Sequence, residues 1–186
     1  KNYMILIFLF FSTNVSILGL IYYKRYQKYQ YMDIEKKLSV ISELKAHELK
    51  QFRRERLGDA NILYNNQSFF ELSEKYLSFS EKKSDLEIQN WLGKYQSIFE
   101  YDNIFLLDSR AKLKKSILGN KSPLSNSTIE LAKDALSDNK IIFQDFFKDE
   151  SDNKIYLSIL IPIIKENKKP IGVAIFRINP KIYLFP

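Results

Sequence analysis

The stretch Ile155-Tyr-Leu-Ser-Ile-Leu-Ile-Pro-Ile-Ile164 decides the fold. It is rich in β-branched and aromatic residues, and a period of two sends Leu157, Ile159, Ile161 and Ile163 to one face. Tyr156, Ser158, Leu160 and Pro162 share the other face, apolar with two hydroxyls, as a small-molecule pocket tends to be. The stretches Asp149-Glu-Ser-Asp-Asn153 and Glu166-Asn-Lys-Lys169 on either side read as hairpin connections. They join it to strand patterns at Ile141–Phe147 and Ile171–Ile178, giving a three-stranded antiparallel run.

Upstream, Ile104-Phe-Leu-Leu107 is a continuous apolar run, as in a strand buried on both faces. Asp108-Ser-Arg-Ala111 reads as a turn, and Leu113 to Leu118 as a weakly alternating return strand. Between these strands and the later three, Ser127 to Ser137 predicts a helix with Ile129, Ala132, Ala135 and Leu136 on one side. Two further helices precede the strands, each expected to open at a capping box, Ser68-Phe-Phe-Glu71 and Ser84-Asp-Leu-Glu87. The second carries Ile88, Trp91, Leu92, Tyr95, Ile98 and Phe99 as an apolar face, with Trp91 read as core. Five strands with helices at their sides make an α+β layer arrangement with an antiparallel sheet.

Before the helices, Ile34, Leu38, Ile41, Leu44, Leu49, Phe52, Ala60 and Leu63 recur at mostly three- and four-residue spacings. No proline interrupts them, so a single long helix is expected from Gln30 to about Tyr64. Ahead of it, Met4 to Tyr23 runs twenty residues without a charge. At 1.5 Å per residue that is ~30 Å, the hydrocarbon thickness of a bilayer. A cleaved signal peptide competes with this reading. The run is longer than the ~7–15 apolar residues of such signals, lacks an Ala-x-Ala site and exits through Tyr22-Tyr23-Lys24-Arg25-Tyr26, like an interfacial belt. The expected divisions are an anchor and juxtamembrane segment (1–29), a stalk helix (30–66), an α+β lobe (67–180) and the start of a connection (181–186). Lys1 before the span and Lys24, Arg25 and Lys28 after it leave the side of the membrane open on charge alone.

The composition excludes more than it assigns. The net charge of +7 comes from lysines spread among acids, and the densest basic stretch, Phe52-Arg53-Arg54-Glu55-Arg56, is broken by a glutamate, so no nucleic-acid partner is expected. The absence of cysteine removes thiol catalysis and Cys-based zinc sites. His47 is the only histidine; His47-Glu-Leu-Lys50 has the look of a phosphoacceptor sequence, but no proline follows and no Gly-rich nucleotide loop exists. Nucleophile elbow, P-loop and HExxH patterns are missing, so no catalytic residue, metal or cofactor is expected.

Several stretches resemble a known family. Ile41-Ser-Glu-Leu-Lys-Ala-His-Glu-Leu-Lys-Gln-Phe-Arg-Arg-Glu-Arg-Leu-Gly-Asp-Ala60 resembles the stalk helix of bacterial and archaeal membrane sensors. In those proteins a double Cache domain, PAS-like in its element order, precedes PAS and histidine kinase modules; the family often has Trp at the position of Phe52. Ile104-Phe-Leu-Leu-Asp108, Leu157-Ser-Ile-Leu-Ile-Pro-Ile163 and Pro170-Ile-Gly-Val-Ala-Ile-Phe-Arg-Ile-Asn-Pro180 resemble its first, central and last sheet strands. Tyr183-Leu184-Phe185-Pro186 resembles the segment that follows. Ala111 stands where the family usually has glycine, and Asn179 where it usually has aspartate. The resemblance implies the membrane-distal lobe of an extracytoplasmic sensor in the plasma or inner membrane. The full-length parent is then expected to be a sensor histidine kinase, its catalytic domain outside this chain.

Four residues are candidates for ligand contact: Asp145, Tyr156, Ser158 and Arg177. Arg177 suits a carboxylate through a two-pronged contact and Asp145 an amine. The expected partners are a small molecule (an amino acid, carboxylate or amine), the membrane, and a second copy along the stalk helix. The competing reading is a membrane-tethered structural or partner-binding module without a small-molecule pocket.

Overall fold

The computed structural model describes residues 2–79, 82–119, 124–150, 152–164 and 169–183. Parts of three expected segments lie outside these: Ser151, residues 166–168 of the second hairpin connection, and residues 184–186. The chain divides into two compact units, Lys1–Gln51 and Phe52–Pro186.

The first unit is helical from Asn2 and belongs to α1 (Asn2–Tyr64), whose last turns fall in the second unit. It contains a stretch long and apolar enough to cross a membrane. The polar residues inside that stretch close on the helix itself. The Thr13 hydroxyl donates to Leu9 O at 2.9 Å, Asn14 Nδ2 to Phe10 O at 2.7 Å, and Ser16 Oγ to Ser12 O at 2.9 Å. Each of the three thus donates to a carbonyl of its own helix, which suits a span in lipid.

In the second unit α2 (Gln67–Phe79) and α3 (Lys82–Phe99) lead into β1 (Asn103–Asp108) and β2 (Leu113–Ser116). Then come α4 (Asn126–Asp138), β3 (Ile142–Lys148), β4 (Ile155–Ile163), β5 (Gly172–Ile178) and the one-turn α5 (Pro180–Tyr183). The strands form one antiparallel sheet in the order β2-β1-β5-β4-β3. The expected five-stranded α+β arrangement is what folds.

The two sheet faces are covered differently. On one, α4 packs on Phe105, Leu107, Leu160, Val173 and Ile175 through Ala132 and Ala135. The small alanines let the helix approach closely. The opposite face carries Ile104, Leu106, Leu157, Ile159, Ile161 and Phe176, all buried. Against it runs an aromatic stack, with Phe69–Trp91 and Trp91–Tyr95 ring centroids at 5.0 and 5.3 Å, and Tyr95 edge-on to Phe176 at 5.7 Å. Trp91 is half-buried within that stack, a packing residue as expected.

The structure corrects several local expectations. Neither capping box sits at a helix start. Asn66 caps α2, its Oδ1 accepting from Phe69 N at 2.9 Å, and Ser68 lies inside the first turn. Ser84 is the third residue of α3 and is buried. Asparagine competes with serine on equal terms for a cap, so the earlier residue took it. Ile98 is 73% exposed rather than part of the α3 core face, which is carried by Ile88, Leu92, Tyr95 and Phe99. β2 ends at Ser116, and β3 is bulged between Gln144 and Phe147. The β1–β2 turn keeps the left-handed backbone that glycine would favour: Ala111 has φ 57°, and its N–H donates to Asp108 O at 2.9 Å. An L-residue there costs roughly 1–2 kcal/mol.

Pro162 lies within β4, a strand with neighbours on both sides. Ile163 O accepts from Ile171 N at 2.9 Å, so the polar groups of Ile163 face β5 and those of Pro162 face the β3 side. There the pairing has already ended at Ile142↔Leu160, and the missing N–H interrupts no ladder bond.

Candidate functional site

One transverse row of the sheet breaks the apolar pattern. On the α4 side, strand register sets Asn103 of β1 beside Arg177 of β5, Arg177 beside Ser158 of β4, and Ser158 beside Gln144 of β3. All four side chains are buried. The next row, Phe105–Ile175–Leu160–Ile142, belongs to the core under α4. The α4 face therefore changes from apolar to polar within one step of the pleat.

Arg177, only 2% exposed, is held on every side. Its Nε and Nη2 reach one oxygen of Asp102, at 2.8 and 2.7 Å, and Asp102 N donates to Arg177 O at 2.9 Å. Nη1 meets Asp149 Oδ2 at 3.4 Å. The guanidinium carbon lies 4.3 Å from the Tyr156 ring centroid and 5.2 Å from that of Phe105, so two aromatic rings lie within cation–π distance of the group.

Tyr156 is anchored in turn. Its hydroxyl donates to Asp152 Oδ2 at 2.7 Å. Burial, then the bond to Asp152, pushes the Tyr156 hydroxyl well above the ordinary tyrosine value. For Asp152, burial pulls upward but is outweighed by the Tyr156 hydroxyl, the Lys154 amide and the Lys154 and Arg177 charges, which hold the carboxyl below its usual value.

The outer members of the row have their polar atoms engaged. Asn103 Nδ2 donates to Ser116 Oγ at 2.9 Å, and its Oδ1 accepts from Ile104 N and Leu118 N at 2.9 and 3.2 Å. Gln144 Oε1 accepts from Thr128 Oγ1 at 2.9 Å, and its Nε2 donates to Ser127 Oγ at 3.4 Å. Ser125, the α4 cap, lies 2.7 Å from Thr128 Oγ1, so the first turn of α4 is bonded through Gln144 to β3. Ser158 differs. It is 1% exposed, and its Oγ has no hydrogen-bond partner among the described residues.

Of the candidates read from sequence, the structure brings Tyr156, Ser158 and Arg177 together. Asp145 lies on the β3 bulge, exposed, its Oδ1 accepting from Phe146 N at 2.9 Å, and is not part of the row. Sequence reasoning missed Asp102, Asn103, Gln144, Asp149 and Asp152. Asn103 and Gln144 carried a readable signal, since a polar residue bordering or within an apolar strand needs a buried partner. The acids carried none, because Asp149 and Asp152 look like ordinary solvated hairpin residues. Among the described residues there is no cluster of His, Cys, Asp and Glu fit to hold a metal ion.

Neither a family model nor a curated protein sequence matches the chain. Solved structures do. The sensor domain of the Vibrio cholerae histidine kinase DctB superposes with a TM-score of 0.61 at 11% identity, over 81% of this chain and 58% of that one. The ligand-binding domain of the Campylobacter jejuni chemoreceptor Tlp3, solved with 4-methylisoleucine, gives 0.55 at 17% identity, over 75% and 57%. That of the Pseudomonas aeruginosa amino acid chemoreceptor PctC, solved with GABA, gives 0.52 at 16% identity, over 79% and 62%. This chain thus spans under two thirds of the length of each. It has the Cache-type, PAS-like fold of these sensor domains.

Proposed function

We propose that the second unit is an extracytoplasmic input domain that binds a small polar ligand on the α4 face of its sheet. It would serve a transmembrane signalling protein, with a sensor histidine kinase as the parent. The observation that carries this reading is the Ser158 hydroxyl, buried in a polar row and unmatched among the described residues. Leaving such a group buried costs about 1–3 kcal/mol. A hydroxyl kept at that cost suits a site completed by another molecule. The Tlp3 and PctC ligand-binding domains, which share this fold, were solved in complex with 4-methylisoleucine and with GABA, and this supports a small polar ligand.

The ligand class comprises amino acids, carboxylates and amines. Tyr156, Ser158 and Arg177 form the base of the site, and Asp145 at its margin is offered to an amine. Signalling requires that the ligand prefer one arrangement of the domain over another, and only that difference in affinity drives the change.

Two variants test the site in the detergent-solubilised chain, with unfolding followed by fluorescence of Trp91, the single tryptophan. Ser158→Ala is expected to raise the stability of the unliganded domain, by removing the orphan, and to weaken binding of any hit from a screen of amino acids, carboxylates and amines. Asp145→Ala should weaken amine-bearing hits alone. Absence of any hit across the screen, or hits unaffected by Ser158→Ala, refutes the proposal.

A second reading has its own observation. Phe146 and Ile155, both exposed, line a cleft of about 560 Å³ with Asn153, Pro180 and Lys181, which suits a protein partner. A partner-binding module predicts that Phe146→Asp abolishes function while Ser158→Ala does not.

Membrane placement and pairing complete the proposal. The span in α1 would anchor the domain, with reporter fusions after Arg25 expected to be active outside the cytoplasm. Ile34, Leu38, Ile41 and Leu44 are exposed on a single copy. Pairing of two stalks would bury them, so Ile41→Cys should form a disulfide-linked dimer in membranes; a monomer under oxidation counts against it.

A further inference from the structure

Three hydroxyls at the start of α4 and one amide of β3 close into a hydrogen-bonded ring. Thr128 Oγ1 donates to Gln144 Oε1 at 2.9 Å, so its oxygen is left to accept from Ser125 Oγ at 2.7 Å. Ser125 has then given its hydrogen and accepts from Ser127 Oγ at 3.0 Å, while Ser127 Oγ accepts from Gln144 Nε2 at 3.4 Å. A hydroxyl has one hydrogen to donate, so all three are used inside the ring, which takes only one of the two Gln144 amide hydrogens.

The groups left open around this ring are donors. Thr128 N is bonded to Ser125 Oγ at 3.3 Å and Ile129 N to Ser125 O at 3.1 Å. The Asn126 and Ser127 N–H groups, at the positive end of the helix dipole, have no partner among the described residues. The second Gln144 amide hydrogen joins them. Ser158 makes this more than a helix end. Its hydroxyl is 1% exposed and unpartnered among the described residues, and it shares its face with Leu160, on which α4 packs. Ser158 is paired with Gln144 in register, and the Cβ atoms of directly paired residues lie about 4.5–5.5 Å apart. The orphan hydroxyl therefore stands beside the Gln144 amide and the first turn of α4.

Resting on the reading of this row as a ligand site, we propose that the first turn of α4, Gln144 and Ser158 form the seat of a ligand oxyanion. An ammonium brought here would face N–H groups and the positive end of a helix. A carboxylate or phosphate oxygen accepts from the same groups and completes the Ser158 hydroxyl. Arg177 already serves Asp102 and Asp149, and the seat does not draw on it.

The test uses the detergent-solubilised chain. Sodium acetate and sodium phosphate are the probes that tell a carboxylate from a phosphoryl ligand, sodium chloride at equal ionic strength is the control, and putrescine is the amine probe. In the wild-type chain, hydrogen exchange at the Asn126 and Ser127 amides should slow when acetate or phosphate binds and stay unchanged in chloride, a readout that needs no variant to fold. Gln144→Glu keeps the side-chain shape and can still accept from Thr128 and Ser127, but it replaces the spare donor with a negative charge. It should weaken the bound anion roughly tenfold or more, the worth of a charge-assisted hydrogen bond, without weakening putrescine. Anion binding that leaves both amides unchanged, equal slowing in chloride, or an anion affinity that Gln144→Glu does not alter overturns the seat. So does binding of putrescine alone, after which only the sensing proposal survives. If neither oxyanions, amines nor amino acids bind, the sensing proposal falls with it.

Discussion

Replacing Arg177 by methionine keeps the length and apolar stem of the side chain and deletes only its charge and donors. The expected cost follows from what is left behind. Asp102 has 22% of its side chain exposed and can turn to water, but the Asp149 side chain is 2% exposed and cannot. Breaking a buried pair by removing one partner costs about 3–5 kcal/mol, because the other charge stays buried. Against a total stability of about 5–15 kcal/mol for a domain, that is a large share. With a urea slope of about 2 kcal/mol/M, the unfolding midpoint should fall by roughly 2 M. Trp91 fluorescence reads the transition in the second unit alone, since the first holds no tryptophan. The double variant Arg177→Met, Asp149→Asn then separates causes. If the stranded Asp149 charge dominates, the double variant recovers more than half of the loss. A midpoint shift under about 0.5 M for Arg177→Met, or no recovery in the double variant, would falsify the view that buried charge compensation organises this row.

Two further outcomes follow from the geometry. A Cβ at Gly172 would lie 2.3 Å from Leu107 O, on the paired backbone of β1, and 2.8 Å from Leu77 Cδ1. The strand cannot give way as a side chain tip can, so Gly172→Ala should cost about 1–3 kcal/mol or more in urea unfolding; a neutral result means that β1 and β5 are less closely paired than they stand here. Asp108 and Asp152 are both held below the ordinary carboxyl value, against burial that alone would raise them: Asp108 by the Lys112 and Arg110 amides and Lys114, Asp152 by the Tyr156 hydroxyl, the Lys154 amide and the Lys154 and Arg177 charges. Depressed carboxyls stabilise the fold above their unfolded value and lose that contribution as pH falls through the folded one. Stability should therefore drop as pH goes below about 4. Asp108→Asn and Asp152→Asn should each lower stability at neutral pH while flattening this acid loss, and an unchanged acid slope in both argues against the assignment.

Local patterns carried most of the architecture. A period of two in Leu157–Ile163, a charge-free run at Met4–Tyr23 and a capless helical period through residues 30–64 act over a few residues, so composition and spacing determine the elements without reference to distant chain. The order of those elements was enough for an α+β sheet flanked by helices. Positions decided by competition between near neighbours were less legible: Asn66 and Ser68 are two residues apart and equally good caps, and only the path of the chain into α2 chose between them.

The site belongs almost wholly to tertiary structure. That Arg177 faces the same side as Ser158 is a matter of register, and a slip of one residue would turn either side chain to the opposite face. That Asp102 and Asp149, 75 and 28 residues away in sequence, converge on one guanidinium follows from placing β5 at the centre of the sheet. Sequence by itself determined that strands, helices and an apolar span would form, because short-range periodicity and burial set them. Only the folded sheet decided which polar residues share a row and which charge meets which, because those pairings rest on hydrogen-bond register between strands far apart along the chain.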